Sequence, residues 1–363
     1  MYLHGCNYPW STDGRTVFYG LDFGGNVWGS HLGVSTRREA VARDLADMAA
    51  LGFTVVRWFV FADGRAGIVY DDRGLPAGPD AHLFADLDAA LESAQASNLR
   101  VDLVLLDHRW MFGGLADALA DPVTGVTYDA ELPEGRAEVL LSPAGRDGLF
   151  DRVFQPVVRR YGPSGARADL GPAVLGYEFM NEPDFIVDEW ERDLHPRVRR
   201  PLRFELLAAL VSRLSAIVHA DHPGALTTLG GARLHNLWAW DDEALGLDVL
   251  QVHSYPAAER EASAADVLGT PAAALGVRRP VIIGECPAAR TEEYLAFALD
   301  AGYAGAWPWS FSGTDAHGRL PVEPLRAFAA RHPHLTHHKS QVTSHKSEVR
   351  SHKVVKRIRR EPS

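Results

Sequence analysis

Two glutamates stand directly after runs of apolar residues, 103 positions apart. Glu182 ends the segment Tyr-Glu-Phe-Met-Asn-Glu, and Glu285 ends Val-Ile-Ile-Gly-Glu. Two facing carboxyl groups suit the hydrolysis of a glycosidic bond, because one protonates the departing oxygen while the other attacks the sugar or activates water. We therefore predict that Glu182 and Glu285 are catalytic. Glu178 lies four residues deeper on the same run, and we expect it to have a structural role.

Other polar and aromatic side chains follow the remaining apolar runs. A strand with a purely structural role would be expected to end on a turn residue. Because several strands end on polar or aromatic residues instead, we predict that these side chains form one site at one end of the strands. Taken singly, each has a structural interpretation as a salt-bridged arginine, a buried histidine or a core tryptophan. The candidate substrate-binding and supporting residues are Arg57, His108, Asn181, His253, Tyr255, Trp307, Trp309, Trp238 and Trp240.

These residue types meet the needs of a glycosidic reaction. Arg57 and Tyr255 are expected to hydrogen-bond Glu285, and a guanidinium in that position keeps a carboxylate ionised. His253 is expected to tune Glu182, and the asparagine beside Glu182 to hydrogen-bond a sugar 2-hydroxyl. The four tryptophans offer flat apolar faces for sugar rings. The set requires neither a metal ion nor a cofactor, and we predict neither.

The elements that must position these residues follow from hydrophobic periodicity. Apolar runs of strand length alternate with longer segments of helical period, which is typical of β-α units around a parallel sheet. Eight such runs are the number that a closed barrel requires. The sequence therefore predicts an α/β protein with a single-domain (β/α)8 TIM barrel over 1–334. The predicted strands are Tyr2–Tyr8, Thr54–Phe61, Arg100–Leu106, Val174–Asn181, Ala225–Gly230, Val249–Tyr255, Val281–Glu285 and Gly305–Trp309.

Helices are predicted between these strands from apolar residues three and four positions apart. Thr36 is expected to cap the first helix, which should end at Gly52. The strand-to-helix connections over 9–35, 62–79 and 108–145 are long, and in a barrel such connections build the rim that carries the active site. The predicted helices lie near 36–52, 83–94, 149–157, 206–218, 262–275, 291–301 and 324–330, with a short one at 241–245.

Three motifs resemble those of clan A glycoside hydrolases, in particular family 5, the cellulase and mannanase family. They are Tyr-Glu-Phe-Met-Asn-Glu-Pro (177–183), His-Ser-Tyr (253–255) and Ile-Gly-Glu-Cys-Pro (283–287), supported by Val-Val-Arg (55–57), Asp-His (107–108) and Trp-Pro-Trp-Ser (307–310). The resemblance covers about residues 2–332. It implies a retaining β-glycosidase for β-linked glucosides or mannosides, with Glu182 as acid/base and Glu285 as the nucleophile that forms a glycosyl-enzyme.

The resemblance also implies an oligosaccharide or polysaccharide substrate, and two alternatives stay open beside it. A non-catalytic carbohydrate-binding barrel has no need of an ionised nucleophile, so Arg57 and Tyr255 argue against it. A metal-dependent barrel hydrolase is disfavoured because His4 on the first strand has no second histidine beside it. The family's other active-site positions are matched by Arg57, His108, Asn181, His253, Tyr255 and Trp309.

The net charge of −10 is unevenly distributed. Eight Lys or Arg and two Asp or Glu give residues 337–363 a charge of +6, so the remainder carries −16. An acidic barrel is not expected to bind nucleic acid. The tail over 335–363 holds the near-repeats HKSQVTS, HKSEVRS and HKVVKRI with few apolar positions. It is predicted to be disordered, with attachment to an anionic surface or to nucleic acid as the alternative.

The start of the chain and the cysteines bear on location. The chain opens Met-Tyr-Leu-His without a basic segment followed by an apolar one, and it has no apolar run of the ~18 residues that a membrane span needs. These features predict a cytoplasmic protein without a membrane span, or a secreted one if a leader has been removed.

Two cysteines, Cys6 and Cys286, are too few for a disulfide framework or a zinc cluster. We expect them to be buried free thiols.

Overall fold

Parallel strands close into a barrel, which confirms the predicted fold class. The structure, a computed structural model, describes residues 2–11, 20–26, 29–112, 136–256, 267–313 and 317–336. Within these residues eight strands close the barrel, and two more form a separate hairpin. The barrel strands are β1 (Leu3–Asn7), β2 (Val55–Phe59), β5 (Arg100–Asp107), β6 (Val174–Asn181), β7 (Leu226–Gly231), β8 (Leu250–His253), β9 (Val281–Pro287) and β10 (Gly305–Trp309); the hairpin strands are β3 (Ile68–Tyr70) and β4 (Pro76–Pro79).

All eight predicted strands are present in the predicted order. β6 and β10 have the predicted bounds, whereas the other strands differ at one or both ends. An apolar run locates a buried strand well, but the residue at which pairing stops depends on the neighbouring strand. Strand ends are accordingly the part of an element that sequence places least well.

The register of neighbouring strands brings their polar carboxyl ends to one rim. Residues that pair across two strands have their α-carbons side by side, so side chains on the same face of the sheet become neighbours. The cross-strand partners at this rim are Asn7 with Arg57, Asp107 with Asn181, and His253 with Glu285.

Helices cover the outside of the barrel, and each turns an apolar stripe toward the strands. In α1 the buried residues are Val41, Leu45 and Met48, as the helical period requires. The helices are α1 (Arg38–Ala50), α2 (Leu83–Ala96), α3 (Ala137–Leu141), α4 (Pro143–Asp147), α5 (Gln155–Tyr161), α6 (Phe204–Asp221), α7 (Leu237–Trp240), α8 (Thr291–Asp300), α9 (Val322–Arg331) and α10 (Pro333–Thr336).

Several predicted helical features differ from the structure, among them the short helix at 241–245, where a 3-10 turn covers Glu243–Leu245. Thr36 does not cap α1, because its hydroxyl donates to the Gly33 carbonyl and the helix begins only after Arg37. The predicted helix at 149–157 is a π-helical segment over Gly148–Phe154 that continues into α5. Of the predicted helix at 262–275, residues up to 266 lie outside the described ones, and the rest forms two short 3-10 turns.

A buried carboxylate on α2 anchors the first rim connection. Asp86 is fully buried and accepts hydrogen bonds from the backbone N–H groups of Gly24 and Ser35, at 2.7 and 2.8 Å. The Ser35 hydroxyl and His31 Nε2 contact the same carboxylate.

The second strand-to-helix connection contains the β3–β4 hairpin. Residues 113–135 of the third connection lie outside the described residues.

The amino-terminal end of the barrel is closed by apolar side chains. Since successive residues of a strand point to opposite faces, alternate residues fill the barrel in layers. The lowest layer packs as one cluster made of Leu3, Val55, Leu175, Val249, Ile282 and Trp307. This floor supports the polar layer above it and excludes water from below.

The predicted tail, 335–363, is described only as far as Thr336, which ends α10. The helix therefore runs two residues past the predicted boundary at 334, and the basic repeats lie outside the described residues. Among the described helices, none combines the length and the apolar character needed to cross a membrane. Cys6 and Cys286 are buried free thiols, as predicted.

Candidate active site

Glu182 lies at the point where the chain leaves β6. Its backbone N–H donates to the Gly230 carbonyl at the end of β7, at 2.7 Å. The residue adopts φ +51° and ψ +48°. This left-handed conformation costs a non-glycine residue about 1–3 kcal/mol, and such strain is concentrated at functional sites. The turn aims the Glu182 side chain into the mouth of the barrel, where it stays partly exposed.

Glu285 on β9 faces Glu182, with His253 from β8 between them. His253 Nδ1 is 3.1 Å from Glu182 Oε1 and 3.5 Å from Glu285 Oε1. One oxygen of each carboxyl group and a ring nitrogen of His253 lie within 4.8 Å of one another. This closeness fits a retaining pair, in which the carboxyl groups are ~5–5.5 Å apart, better than an inverting pair at ~6.5–9.5 Å.

Arg57 on β2 is fully buried beneath the two glutamates, and all five of its N–H groups donate hydrogen bonds. Its Nη1 donates to Glu285 Oε1 at 2.8 Å and to Asn7 Oδ1 at 2.9 Å. Its Nε and Nη2 donate to the two oxygens of Glu178, at 2.7 and 2.6 Å, and Nη2 also donates to Asn181 Oδ1 at 2.7 Å. The guanidinium therefore joins side chains from three other strands in one orientation.

The two carboxyl groups have different surroundings. Burial raises the pKa of Glu285, but the Arg57 charge opposes this shift, and the Tyr255 hydroxyl donates to Glu285 Oε2 at 3.0 Å. Burial also raises the pKa of Glu182, which has no arginine bonded to it among the described residues. Both donors act on Glu285, so they favour its ionised form over that of Glu182. Surroundings that differ in this way push the pKa values of two carboxyl groups apart.

Two histidines border Glu182. Burial lowers the pKa of His253 to about 4, so its imidazole is neutral at ordinary pH. His108 Nδ1 lies 3.6 Å from Glu182 Oε2 and 3.5 Å from Asp107 Oδ1. The structure therefore brings His108, the candidate whose surroundings are least regular in sequence, to the same carboxyl group as His253.

Asn181 is held beside this pair by both ends of its amide. Its oxygen accepts from Arg57, and its Nδ2 donates to Asp107 Oδ2 at 2.7 Å. Asp107 was noted only within the Asp-His motif and Asn7 not at all, although each is a polar residue at the end of an apolar strand. That position was their signal, and it was the same signal that identified Arg57.

Trp309 lies in the upper layer of the barrel, as predicted for a residue of the rim. It packs edge-on against Trp10 and Phe59, with ring centroids 6.2 and 6.0 Å apart. Tyr255 packs against the same cluster, which places the indole next to the residue that donates to Glu285. Trp10 belongs to this wall too, and its place at the end of the first strand could have identified it.

Trp307 and Trp240 do not reach the site, which corrects two of the predicted sugar platforms. Trp307 points into the barrel two residues below Trp309, about 7 Å lower along the strand, and it forms part of the apolar floor. Gly5 makes room for it, since a β-carbon there would lie 2.6 Å from the indole. Trp240, the last residue of α7, is buried against Trp190 and against Phe204 at the start of α6.

Trp238 is the remaining predicted platform. Its side chain is 71% exposed on α7, after β7. A single exposed aromatic side chain is ordinary on a protein surface. Its exposure leaves the ring accessible to a ligand, in contrast to the buried Trp240 two residues later.

A cluster of rings lines the rim on the Glu182 side. His108 contacts Phe112 and Phe185, with centroids 5.1 and 5.0 Å apart, and His195 stacks on Phe112 at 4.2 Å. The Arg233 guanidinium lies over the Phe185 ring. The sequence analysis missed these residues because they stand in irregular connections, where no periodicity marks an inward-facing side chain.

Glu182, His253 and Glu285 are also of the types that bind metal ions, and their ligand atoms are close enough to share one. Two features oppose this use. Glu285 already accepts from Arg57 and Tyr255. The buried charge of Arg57 would repel a cation at a distance of a few ångströms. The donor set therefore fits an acid and a nucleophile better than a metal centre.

A (β/α)8 barrel with two differently surrounded carboxyl groups at its carboxyl-terminal rim has the arrangement of a glycoside hydrolase. No family model matches the chain. The chain is 22% identical over 354 residues to mannan endo-1,4-beta-mannosidase of Mytilus edulis, covering 88% of the chain and 86% of that protein. It is 24% identical over 230 residues to mannan endo-1,4-beta-mannosidase 1 of Oryza sativa subsp. japonica, covering 61% of the chain and about half, 51%, of that protein.

Solved structures of beta-mannanases also resemble this chain. The beta-mannanase of the blue mussel Mytilus edulis superposes with a TM-score of 0.67 at 19% identity, over 90% of both chains. The beta-1,4-D-mannanase of Cryptopygus antarcticus gives 0.69 at 17% identity, over 91% of this chain and 90% of that one. At such identities the structural likeness establishes the fold. Together with the sequence relatives, it confirms the predicted resemblance to family 5 glycoside hydrolases.

Proposed function

We propose that this protein is a retaining β-glycosidase that hydrolyses β-linked mannosides in oligosaccharides or polysaccharides of the mannan type. The observation that carries the proposal is the asymmetry of the carboxyl pair. Arg57 and Tyr255 both donate to Glu285, whereas Glu182 faces neutral His253. A non-catalytic carbohydrate-binding barrel would not need one carboxylate and one carboxylic acid held so close together. The names of both sequence relatives favour mannosides over glucosides.

In the first chemical step, Glu285 acts as the nucleophile. One carboxylate oxygen forms a bond to the anomeric carbon while the bond from that carbon to the departing oxygen breaks. Glu182 transfers its proton to the departing oxygen. The products are a glycosyl ester on Glu285 and a carboxylate on Glu182.

The second step reverses the roles. The Glu182 carboxylate takes a proton from water, whose oxygen attacks the anomeric carbon and releases Glu285 as a carboxylate. Two inversions give net retention. In this proposal Asn181 hydrogen-bonds the sugar 2-hydroxyl through its remaining amide hydrogen, and Trp309 faces the sugar ring.

The test begins with hydrolysis of mannan, cellulose and matched aryl β-mannosides and β-glucosides, with product anomers followed by NMR. We expect the mannosides to be preferred and the first product to be the β-anomer. Glu285→Ala should be inactive, and azide should restore turnover with the α-mannosyl azide as product. The exposed Glu292→Ala is the matched control and should behave as the unaltered protein. An α-anomer as first product would refute retention, and an active Glu285→Ala variant would exclude Glu285 as nucleophile.

The acidic barrel and the basic tail suggest different partners. The charge of −16 over the residues before 337 supports the proposal that the barrel does not bind nucleic acid. The charge of +6 in residues 337–363 supports tail contact with an anionic surface. Binding of the full chain and of a chain ending at 336 to anionic vesicles tests this. Equal binding by both would contradict a role for the tail.

A further inference from the structure

Arg57 has two carboxylate partners, and only one of them takes part in the proposed reaction. Glu285 accepts one hydrogen bond from the guanidinium, whereas Glu178 accepts two as a bidentate pair. Arg57 and Glu178 are both fully buried. Burial alone would lower the pKa of Arg57, but the carboxylates around it, Glu178 foremost, raise it. The arginine is therefore permanently charged and shielded from water.

The proposed reaction removes one of these two partners. When Glu285 becomes a glycosyl ester it loses its negative charge, and the proton given up by Glu182 leaves the new carboxylate there. Among the described residues, Glu182 makes no hydrogen bond to Arg57. A buried charge that loses its bonded counter-ion is strongly destabilised, because neither water nor an opposite charge then compensates it. Without Glu178, formation of the glycosyl-enzyme would leave Arg57 in that state.

We propose that Glu178 is a positioning residue that keeps Arg57 charge-compensated and oriented throughout catalysis, so that Glu285 can give up its charge to the glycosyl-enzyme. The inference rests on the proposed function. Glu178 touches no reacting atom and acts through Arg57. Its negative charge also keeps Arg57 from over-stabilising the Glu285 carboxylate, which preserves the nucleophile's reactivity.

The surroundings of Glu178 hold its carboxyl group against Arg57. Gln251 Nε2 donates to Glu178 Oε2 at 2.9 Å. A β-carbon on Gly230 would lie 2.5 Å from Glu178 Oε1 and 2.9 Å from Arg57 Nη2, so only glycine leaves room for the pair. Burial, reinforced by nearby Glu178, raises the pKa of Asp102 well above its usual value, which favours the neutral form of Asp102. Glu178 is the residue of this lower network that is paired with the guanidinium.

Several titratable groups face the Arg57–Glu178 pair and enter any pH dependence. They come from three strands and the turn after β6: Asp102, Asp107, Glu182, His253 and Glu285. The acid limb of kcat/KM reports the ionisation of the nucleophile in the free enzyme. That limb is therefore the readout that distinguishes a charge effect from a general loss of structure.

The experiment compares Glu178→Gln with Glu178→Asp and Asp102→Asn in the full chain, using 2,4-dinitrophenyl β-mannobioside. Removing the negative charge in Glu178→Gln favours ionised Glu285, so the acid limb should move down by about 1 pH unit. The initial burst of dinitrophenol should shrink because glycosylation slows by about tenfold or more. Glu178→Asp retains the charge and should keep the limb and the burst. Asp102→Asn replaces an acid whose neutral form is favoured and should leave the limb unmoved.

Each outcome supports or overturns the inference. An unshifted limb in a folded Glu178→Gln variant, or an equal shift in Glu178→Asp, would show that the Glu178 charge does not act on Glu285. If Glu178→Gln does not fold, the limb and burst of Glu178→Asp decide. Absence of hydrolysis by the unaltered protein would refute the proposed function instead, so the two failures are distinguishable.

Discussion

The lower and upper layers of the barrel are built by the same strands, yet their contents are opposite. The lower layer is an apolar floor that includes Leu3, Val55 and Trp307. The upper layer holds a buried guanidinium and carboxyl groups from several strands, joined through Arg57. A floor of this kind stabilises the fold, whereas buried charges seldom add net stability. The contrast separates the residues that hold the barrel together from those that are placed for chemistry.

Glu182→Ala should give the largest effect and touch only the upper layer. With a mannoside that has a poor leaving group, kcat/KM should fall by about 10²–10⁴-fold, because the departing oxygen is no longer protonated. With a 2,4-dinitrophenyl mannoside, the basic limb of the pH profile should disappear while the glycosylation rate is preserved. Azide should accelerate turnover and give the β-mannosyl azide. Retention of the basic limb would assign the acid to another residue.

Trp307→Ala and Trp309→Ala compare the two layers on one strand. Loss of the buried Trp307 indole should lower the free energy of unfolding by about 3–5 kcal/mol, because a cavity opens in the floor. Trp309→Ala should destabilise less and raise KM, since this ring borders the site. Denaturant unfolding and steady-state kinetics on both variants test the pair. A kinetic defect in folded Trp307→Ala with normal stability would contradict its placement in the floor.

His4→Phe tests a buried polar group on the amino-terminal half of β1. Both ring nitrogens of His4 lack a hydrogen-bond partner among the described residues, and burial lowers its pKa to about 3. Below pH 6.5 the unfolded chain therefore binds this proton more tightly than the fold, so stability falls as pH drops toward 3. The variant lacks this loss and should gain about 2 kcal/mol relative to the parent between pH 8 and pH 5.

The control for His4→Phe is activity, because His4 lies away from the carboxyl pair. Its ring packs against Phe53 and Phe328 on the helix side of the barrel. We expect kcat/KM at pH 7 to stay unchanged while urea midpoints diverge on acidification. A stability difference that is independent of pH would show that the packing of the new ring, and not the proton, is responsible.

Trp238→Ala should have the smallest effect. The exposed ring contributes little to packing, so the unfolding free energy should change by less than about 0.5 kcal/mol. If Trp238 supports a bound sugar chain, KM for mannan should rise severalfold, with no change for a monosaccharide aryl glycoside. Unchanged kinetics on both substrates would remove Trp238 from the binding surface.

The predictions from sequence were correct where they depended on a local feature that recurs at the end of each strand. A polar or aromatic residue after an apolar run identified Glu182, Glu285 and Arg57, and the structure places them together. The same rule failed for Trp307, because alternation gives the side of a strand but not the layer. The prediction for Trp240 was wrong for a related reason. The short helix α7 exposes the Trp238 indole and buries the Trp240 indole, and this orientation depends on packing against α6.

The number and order of the strands, and the two glutamates at their ends, were determined by the sequence alone, because hydrophobic periodicity and the polar ends of strands are local properties. The tertiary structure decided which side chains became partners. Closure of the barrel brought Asn7, Arg57, Glu178 and Glu285 together from four different strands. Hydrogen bonds between such distant residues depend on strand register and on side-chain rotamers. Neither can be predicted from the spacing of residues along one strand.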